Sequence, residues 1–540
     1  MPADIQAIKD AGFRAIICNR PDGEGADQPA FEVVAKKAKK AGLEAVYLPI
    51  VAGKVTDDDA AAFDRMLSEL PGPVLAYCRT GTRSTTLWSL AQADQRGLAD
   101  ILAVTQAAGY DMGTLVRRIM NGRKTPTTGD TRYEVVIVGA GAGGIAAAAS
   151  LKARKPDLEI AIIDPADVHY YQPGWTMVGG GIFEAQQTSR TMGSLIPKGV
   201  QWIKAAVAAF EPENNAVILE GCRVVKYQRL IVCPGIKLDW NKIEGLAQTL
   251  GQNGVTSNYR YDLAPYTWEL VEAMKKGRAI FTQPPMPIKC AGAPQKAMYL
   301  SGDAWHRRGV LNNIDIEFNN AGGVLFGVQD YVPALMEYVK KYGAHLNFFH
   351  NLVAVDGPAK KAWFDVVKLG TPVERIEMEF DMMHVCPPQT APDFIRVSAL
   401  ADAAGWLDVD QATLRHKTYD NIWSLGDVTN APNAKTMAAA RIQAPIVAEN
   451  IIADIQGKSP VAQYNGYGSC PLTVERGKIV LAEFGYGGVM LPSFPKAIID
   501  GTKPSRAAWF LKEKILPPLY WKGMLKGREW LAKPKEVATE

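Results

Sequence analysis

The sequence predicts an α/β protein with parallel sheets in more than one domain. Residues 1–120 alternate short apolar runs, typical of strands, with longer runs typical of helices. Residues 121–131 are polar and rich in Gly, Pro and Thr, which indicates a linker. A new α/β unit begins at Tyr133, where an apolar strand leads into a glycine-rich turn and an alanine-rich helix. Alternating strands and helices favour parallel sheets, and 540 residues fit about three or four domains.

Composition and charge are those of a folded globular protein. Apolar residues make up 47% and charged residues 21% of the chain, and the net charge of +4 does not favour a nucleic-acid partner. The seven cysteines form neither a CxxC pair nor a Cys/His cluster, so we predict no metal site and a reducing compartment. Pro2, Asp4 and Lys9 interrupt any apolar start, so we expect no signal peptide.

The N-terminal region contains a cysteine and an arginine at the end of a strand. Residues 74–77 read as a strand, and Cys78 and Arg83 follow with four residues between them. Backbone N–H groups and the start of a helix are expected to lower the pKa of Cys78 there. The segment resembles a small phosphatase-like domain found beside sulfur-metabolising proteins. The spacing of four residues between Cys78 and Arg83 is rhodanese-like and favours sulfur transfer, whereas tyrosine phosphatases have five residues between the two. Asp22 is either a phosphatase general acid or a turn residue.

The glycine-rich turn predicts a dinucleotide site. Gly139, Gly141 and Gly144 have the Gly-x-Gly-x-x-Gly spacing between an apolar strand and a helix. They permit a tight turn, approach of backbone to a pyrophosphate, and close packing of helix on sheet. Asp164 ends the next strand, about 20 residues later, where a ribose hydroxyl is expected.

A distant segment favours FAD over NAD as the cofactor. Gly426 and Asp427 end a strand, and Lys435 and Thr436 precede an alanine-rich helix. Flavoproteins with two dinucleotide domains use such a Gly-Asp pair on FAD, with the helix directed at the flavin. The second dinucleotide segment, 281–294, has prolines and a cysteine in place of the glycine turn, so we expect an electron acceptor other than a nicotinamide.

Four segments of the chain carry a family resemblance: 169–176 (HYYQPGWT), 289–296 (KCAGAPQK), 403–410 (AAGWLDVD) and 464–472 (YNGYGSCPL). With these segments in this order, residues from about 132 to 528 resemble sulfide:quinone oxidoreductases of the mitochondrial type. The resemblance implies a two-dinucleotide-domain, disulfide-reductase-like flavoprotein with FAD, a quinone acceptor, and a thiol that takes sulfur from sulfide.

One redox cysteine of that family has a counterpart, and the other does not. Cys290 matches the first, and the adjacent Lys289 is expected to favour its thiolate. Val428 stands where the second should follow the Gly-Asp pair. Three routes stay open: Cys290 acts with an external thiol or persulfide, Cys386 replaces the missing partner, or sulfide reduces the flavin directly. The remaining thiols were interpreted as structural: Cys18, Cys222, Cys233 and Cys470.

The C-terminal region is aromatic and basic. Residues 504–530 predict two short amphipathic helices, broken at Pro517 and Pro518, that lie in a membrane interface. The alternative is a hairpin that packs on the core or on a second subunit, which leaves a homodimer open. We therefore expect a peripheral (monotopic) protein on the inner or cytoplasmic membrane.

These observations combine into a predicted domain order and function. The segments are a phosphatase/rhodanese-like domain (1–120), a linker (121–131), the FAD domain (132–244 and 395–460), a degenerate NAD-type domain (245–394) and a membrane-interface region (461–540). The predicted reaction passes electrons from sulfide or persulfide to quinone, with sulfur transfer to a small thiol. The alternative is a phosphatase-like hydrolase joined to a flavoprotein that has lost sulfide oxidation.

Overall fold

A computed structural model describes residues 2, 4–25, 28–51, 55–110, 112, 115, 118–119, 131–219, 223–367 and 370–534. Most of the predicted linker and Cys222 therefore lie outside the described residues.

The strands alternate with helices for much of the chain, as the sequence pattern predicts. The strands are β1 (Ala15–Cys18), β2 (Glu44–Tyr47), β3 (Val74–Tyr77), β4 (Thr131–Val138), β5 (Ile160–Ile163), β6 (Val168–Tyr170), β7 (Ser189–Thr191), β8 (Val200–Ile203), β9 (Val207–Glu211), β10 (Ala216–Leu219), β11 (Val224–Val232), β12 (Lys237–Leu238), β13 (Val255–Thr256), β14 (Gly277–Gln283), β15 (Ile314–Asn320), β16 (His345–Phe348), β17 (His350–Asp356), β18 (Lys361–Val366), β19 (Glu374–Glu379), β20 (Met382–His384), β21 (Gln389–Thr390), β22 (Ile422–Ser424), β23 (Gly468–Glu475) and β24 (Lys478–Phe484).

The α-helices vary from single turns to five turns. They are α1 (Ile5–Asp10), α2 (Phe31–Ala41), α3 (Asp57–Glu69), α4 (Thr82–Ala91), α5 (Leu98–Ala107), α6 (Ala142–Arg154), α7 (Trp175–Val178), α8 (Leu246–Thr249), α9 (Ala264–Ala273), α10 (Ala293–Arg307), α11 (Val332–Tyr342), α12 (Asp393–Arg396), α13 (Met437–Ile455), α14 (Arg506–Phe510) and α15 (Leu516–Pro518). Within the described part of the chain, no helix is both long and apolar enough to cross a bilayer.

The chain forms two compact units. The first comprises 1–134, 205–228 and 393–407, and the second comprises 135–204, 229–392 and 408–540. In the first unit, β1 lies between β2 and β3 in a parallel sheet, and α4 begins directly after the loop that follows β3. Its core includes Ile17, Phe63 and Leu87, which are fully buried.

The second unit contains two parallel sheets. One has the strand order β8-β5-β4-β11-β22, and the other has the order β13-β20-β14-β15-β16. Parallel neighbours place their carboxyl ends at one edge, so the loops after β4, β5 and β22 meet there. Helix α6 packs against α13, and helix α10 packs against the antiparallel hairpin β23–β24.

The C-terminal region differs from the two broken helices that the sequence predicts. Residues 506–526 form one continuous helical run, which we call the C-terminal helical segment, with π-helical turns at 511–515 and 519–523. Pro517 and Pro518 lie between these two π-helical turns, and the run continues through them instead of breaking there. Amphipathic helices in a membrane interface would direct their aromatic side chains towards the lipid. This expectation is wrong for Trp509 and Tyr520, which are buried.

Candidate active site

A cavity of about 460 Å³ lies in the second unit, at the carboxyl edge of the first parallel sheet. The turn after β4 forms part of its wall through Gly141. A Cβ at Gly141 would meet no atom within 4 Å, because it would project into open space. Gly139 and Gly144 lie behind this wall, where a Cβ on Gly144 would approach the carbonyl oxygen of Gly139 to 1.9 Å. The turn therefore presents bare backbone to the cavity while helix α6 packs tightly behind it.

The other predicted cofactor residues also line this cavity. Asp164 ends the strand β5, and its carboxylate accepts hydrogen bonds from the backbone N–H groups of Ala140 (2.7 Å) and Ala166 (2.8 Å). These bonds hold the carboxylate beside the glycine turn. The remaining predicted members of the wall are Gly426, Asp427, Lys435 and Thr436.

The loop after β22 and the start of α13 form the opposite part of the wall. Lys435 Nζ donates to the carbonyl oxygens of Asp427 (2.8 Å) and Thr429 (2.7 Å), which fixes the loop. Thr436 caps α13, because its Oγ1 accepts from the N–H of Ala439 (3.2 Å). Burial raises the pKa of the Asp427 carboxyl, and the nearby Lys435 opposes that rise.

Cys290 lies on the turn between β14 and α10 and also lines the cavity. Its backbone N–H donates to the carbonyl oxygen of Lys435 (2.7 Å), so this turn is fixed to the loop that carries Asp427. Cys290 adopts a φ of +51°, which a residue with a side chain rarely adopts. Such backbone strain is typical of functional sites.

Two groups contact the sulfur of Cys290. Lys296 Nζ donates to Cys290 Sγ at 3.1 Å, and Cys470 Sγ lies 4.0 Å away. The hydrogen bond from the Cys470 thiol and the positive charge of Lys296 hold the pKa of Cys290 well below its usual range, against the effect of burial. The same bond holds the pKa of Cys470 well above its usual range. The surroundings of the pair therefore favour the thiolate at Cys290 and the thiol at Cys470.

The lysine that contacts Cys290 is not the one that the sequence indicated. Lys289 Nζ donates instead to Gln172 Oε1 at 2.7 Å and lies over the ring of Trp175 at 5.6 Å. Burial lowers the pKa of Lys289 to about 8. Adjacent positions in a turn point in different directions, whereas Lys296, in the first turns of α10, points back towards the sulfur.

Cys386 has the surroundings of a buried core thiol. It is 1% exposed, and its Sγ interacts with the carbonyl oxygen of Pro387 (3.9 Å) and Nε2 of Gln389 (3.7 Å). Burial raises its pKa to about 12. Val428, at the position of the missing cysteine, is also fully buried.

The C-terminal helical segment completes the cavity wall through residues that include Lys512 and Tyr520. Tyr520 Oη shares a 2.5 Å hydrogen bond with Nε2 of His169, whose Nδ1 lies 3.1 Å from the carbonyl oxygen of Ala140. Lys512 is 5% exposed. Burial and the positive charge of Lys296 lower its pKa to about 7.

The first unit has its own cysteine loop. Burial would raise the pKa of Cys78, but hydrogen bonds from the backbone N–H groups of Ser84, Thr80 and Arg83, together with the charge of Arg83, lower it. Arg83 donates to the carbonyl oxygen of Ile50 (2.7 Å) and to the carboxylate of Glu24 (2.9 Å).

Asp22, beside this loop, accepts a hydrogen bond from the N–H of Phe31 at 2.8 Å through its Oδ1 atom. This bond lies just before helix α2 and is typical of a turn residue.

Sequence reasoning missed three residues of the cavity region: Lys296, Cys470 and Lys512. Lys296 and Cys470 belong to the segments that carry the family resemblance, but their spacing from Cys290 gave no signal of contact. Lys512 lies in the region predicted to be an amphipathic membrane-interface segment, and nothing in the sequence distinguishes it there as a buried lysine.

Comparisons with known proteins agree with this architecture. Residues 133–267 match the family model of the pyridine nucleotide-disulphide oxidoreductases, and residues 1–95 match that of the beta-lactamase hydrolase-like protein, phosphatase-like domain. The mitochondrial sulfide:quinone oxidoreductase of Dictyostelium discoideum is 42% identical over 403 residues, which cover 74% of this chain and 87% of the relative. That of Mus musculus is 39% identical over 400 residues, covering 74% and 88%. The sulfide:quinone oxidoreductase structure from Aquifex aeolicus shares the fold, with a TM-score of 0.60 at 19% identity, covering 73% of this chain and 92% of that one.

The fold and the site together define a flavoprotein oxidoreductase preceded by a small phosphatase-like domain. Within that class, the chain belongs to the sulfide:quinone oxidoreductase family. The predicted fold class and family are therefore confirmed. A flavin cofactor follows from the family, and the cavity fits one, because the open space at Gly141 and the carboxylate of Asp164 provide a phosphate cradle and a ribose acceptor.

Proposed function

We propose that this protein oxidises sulfide, or a related sulfane-sulfur species, and passes the electrons through FAD to membrane quinone. The observation that carries the proposal is the position of Cys290 Sγ, 3.1 Å from Lys296 Nζ, in the wall of the cavity that the cofactor residues line. A thiolate is the form of cysteine that attacks sulfur.

The chain offers FAD a complete set of binding groups. Backbone at Gly141 and the N-terminus of α6 would hold the pyrophosphate, and Asp164 would accept a ribose hydroxyl. Asp427 would bind the ribityl-phosphate portion of FAD. The N-terminus of α13 would stabilise negative charge on the reduced flavin ring. When bound, FAD would supply the transfer of two electrons to quinone.

The protein groups have separate roles in this proposal. Lys296 keeps Cys290 deprotonated, so that its sulfur can accept or release a sulfane sulfur atom. Lys289, with a pKa lowered to about 8, would exchange a proton inside the cavity near neutral pH. The reaction balances when sulfide loses two electrons and becomes sulfane sulfur, and quinone gains two electrons and two protons.

Anaerobic titration of the purified protein with sulfide tests this function. The protein should be yellow, sulfide should bleach it, and a short-chain quinone should restore the colour. Cys290→Ser should retain the flavin but lose the bleaching by sulfide. Bleaching by NADH and not by sulfide would instead favour a nicotinamide-dependent enzyme and reject the proposal.

We also propose that the C-terminal helical segment attaches the protein to a membrane surface, where quinone is dissolved. Phe510 is 59% exposed and Ile515 is 44% exposed, although both are large and apolar. Lys514 and Lys522 are exposed on the same segment and would contact lipid headgroups.

For the N-terminal domain we propose sulfur transfer through a persulfide on Cys78. The backbone N–H groups of the loop and the charge of Arg83 stabilise an anionic sulfur there. The alternative is a phosphatase, which the family match of residues 1–95 favours. Thiosulfate:cyanide transfer that disappears in Cys78→Ser would support the sulfurtransferase. Hydrolysis of an aryl phosphate without sulfur transfer would establish the phosphatase.

A further inference from the structure

Cys290 and Cys470 lie side by side although 180 residues separate them in the chain, with their sulfur atoms 4.0 Å apart. Cys470 belongs to β23, and the turn that carries Cys290 packs directly against that strand. The close approach depends on Gly292, because a Cβ there would lie 2.5 Å from Cδ2 of Leu472 and 3.7 Å from Cβ of Cys470.

Each sulfur atom has a hydrogen-bond donor of its own, although only Cys290 has a lowered pKa in the reduced pair. Lys296 donates to Cys290, and the backbone N–H of Gly292 donates to Cys470. The buried Lys512 adds a positive charge that acts on both sulfurs. A disulfide exchanges rapidly when its sulfur atoms can leave as thiolates.

The alternative partner, Cys386, is distinguished from Cys470 by geometry. The Cys290 sulfur contacts Lys296 and Cys470, whereas the Cys386 sulfur contacts the carbonyl oxygen of Pro387 and Nε2 of Gln389. The positions of the sulfur atoms therefore favour Cys470 as the partner of Cys290.

We propose that Cys290 and Cys470 form the redox-active dithiol/disulfide pair of this protein, so that Cys470 replaces the cysteine that is absent at Val428. The inference rests on the proposed function, because the flavin and quinone supply the oxidant. Forming the bond requires the sulfur atoms to approach from 4.0 Å to about 2.05 Å.

The chemistry balances in three steps. First, HS⁻ attacks Sγ of Cys290, the sulfur of the pair that lines the cavity, so the S–S bond breaks, Cys290 becomes a persulfide, and Cys470 leaves as a thiolate and takes up a proton. Second, an external thiolate attacks the outer sulfur of the persulfide, and the Cys290 thiolate leaves. Third, the pair re-forms its disulfide, losing two electrons and one proton to the flavin and quinone. In sum, hydrogen sulfide, a thiol and a quinone give a persulfide and a quinol.

Disulfide mapping tests the pair without measuring turnover. Wild-type protein, purified in air, alkylated and digested without reductant, should yield a peptide that links Cys290 to Cys470. Anaerobic sulfide should remove the linked peptide and leave one additional sulfur atom on Cys290. A peptide that links Cys290 to Cys386, or no linked peptide, would overturn the inference.

Two variants test the role of the pair in the reaction. Cys470→Ser and Cys470→Ala should retain the flavin but be bleached by sulfide about 100-fold more slowly, because an intramolecular step is lost. Cys18→Ser, which removes a buried thiol from the other compact unit, should match the wild type. Bleaching at the wild-type rate in both Cys470 variants would reject the pair. A wild type that sulfide does not bleach would reject the proposed function instead, and the disulfide map would still decide the pairing.

Discussion

Replacing Lys296 with methionine removes the cation that holds Cys290 as a thiolate. The Nζ–Sγ distance is 3.1 Å and Lys296 is buried, so the two unit charges attract by about 5 kcal/mol at an effective dielectric constant of about 20. Dehydration of the ammonium offsets part of this attraction. A net loss of about 1.5–3 kcal/mol is typical for a hydrogen bond to a charged group. The thiolate-to-thiol ratio of Cys290 should therefore fall by about 10- to 100-fold at any given pH.

The rate of alkylation of Cys290 by iodoacetamide, followed over a range of pH in the reduced protein, measures this change. The midpoint of the rate profile should move to higher pH in Lys296→Met, because the pKa of the thiol rises when the cation is removed. Lys289→Met is the matched control, since its ammonium is bonded to Gln172 and should affect the midpoint less. Equal midpoints for Lys296→Met and the wild type, or a larger displacement in Lys289→Met, would refute the assignment of Lys296.

Three further predictions concern the cavity and the C-terminal helical segment. Gly141→Val should fold but bind no flavin, because the added side chain enters open space in the cavity. Gly144→Val should instead lower the melting temperature and the soluble yield, because its Cβ would lie 1.9 Å from a backbone oxygen. Lys512→Met should raise the melting temperature, and by more at pH 6 than at pH 10. The pKa of Lys512 is about 7 in the folded protein and about 10.4 in the unfolded chain. Between these pH values the unfolded chain binds one proton more than the folded protein. The destabilisation caused by burying the Lys512 ammonium is therefore greatest below pH 7 and decreases as pH rises. The double change Phe510→Glu and Ile515→Glu should reduce co-sedimentation with anionic vesicles while flavin content stays constant; unchanged co-sedimentation would contradict attachment through this face.

The parts of the site that sequence predicted are those with a local pattern. The turn at Gly139–Gly144 and the loop at Gly426–Asp427 each depend on a few consecutive residues, and both lie at the cavity, with Gly141, Gly426 and Asp427 in its wall. The absence of a cysteine at Val428 was equally visible, because the family motif around it is continuous.

The parts that sequence missed depend on tertiary packing. Cys470 approaches Cys290 because strand β23 packs against helix α10. The two cysteines are 180 residues apart in the chain, and no sequence pattern predicts that their segments are in contact. Sequence indicates Lys289 as the partner of Cys290 because the two residues are adjacent in the chain. In the structure Lys296 contacts the Cys290 sulfur and Lys289 contacts Gln172. The helical segment at 506–526 is predicted from sequence to break at two prolines, and the π-helical turns on either side of them have no signal in the sequence.

The cavity wall is assembled from segments that the ribosome makes at very different times. Ser150 and Arg154, on the helix behind the glycine turn, are hydrogen-bonded to Glu529, and 379 residues separate Ser150 from it. At about 5–20 residues per second, synthesis of that interval takes about 20–75 s. For most of that time the nascent chain contains the glycine turn but lacks the wall that Lys512 and Tyr520 later provide. The set of segments that line the cavity is therefore complete only when the final part of the chain has been made.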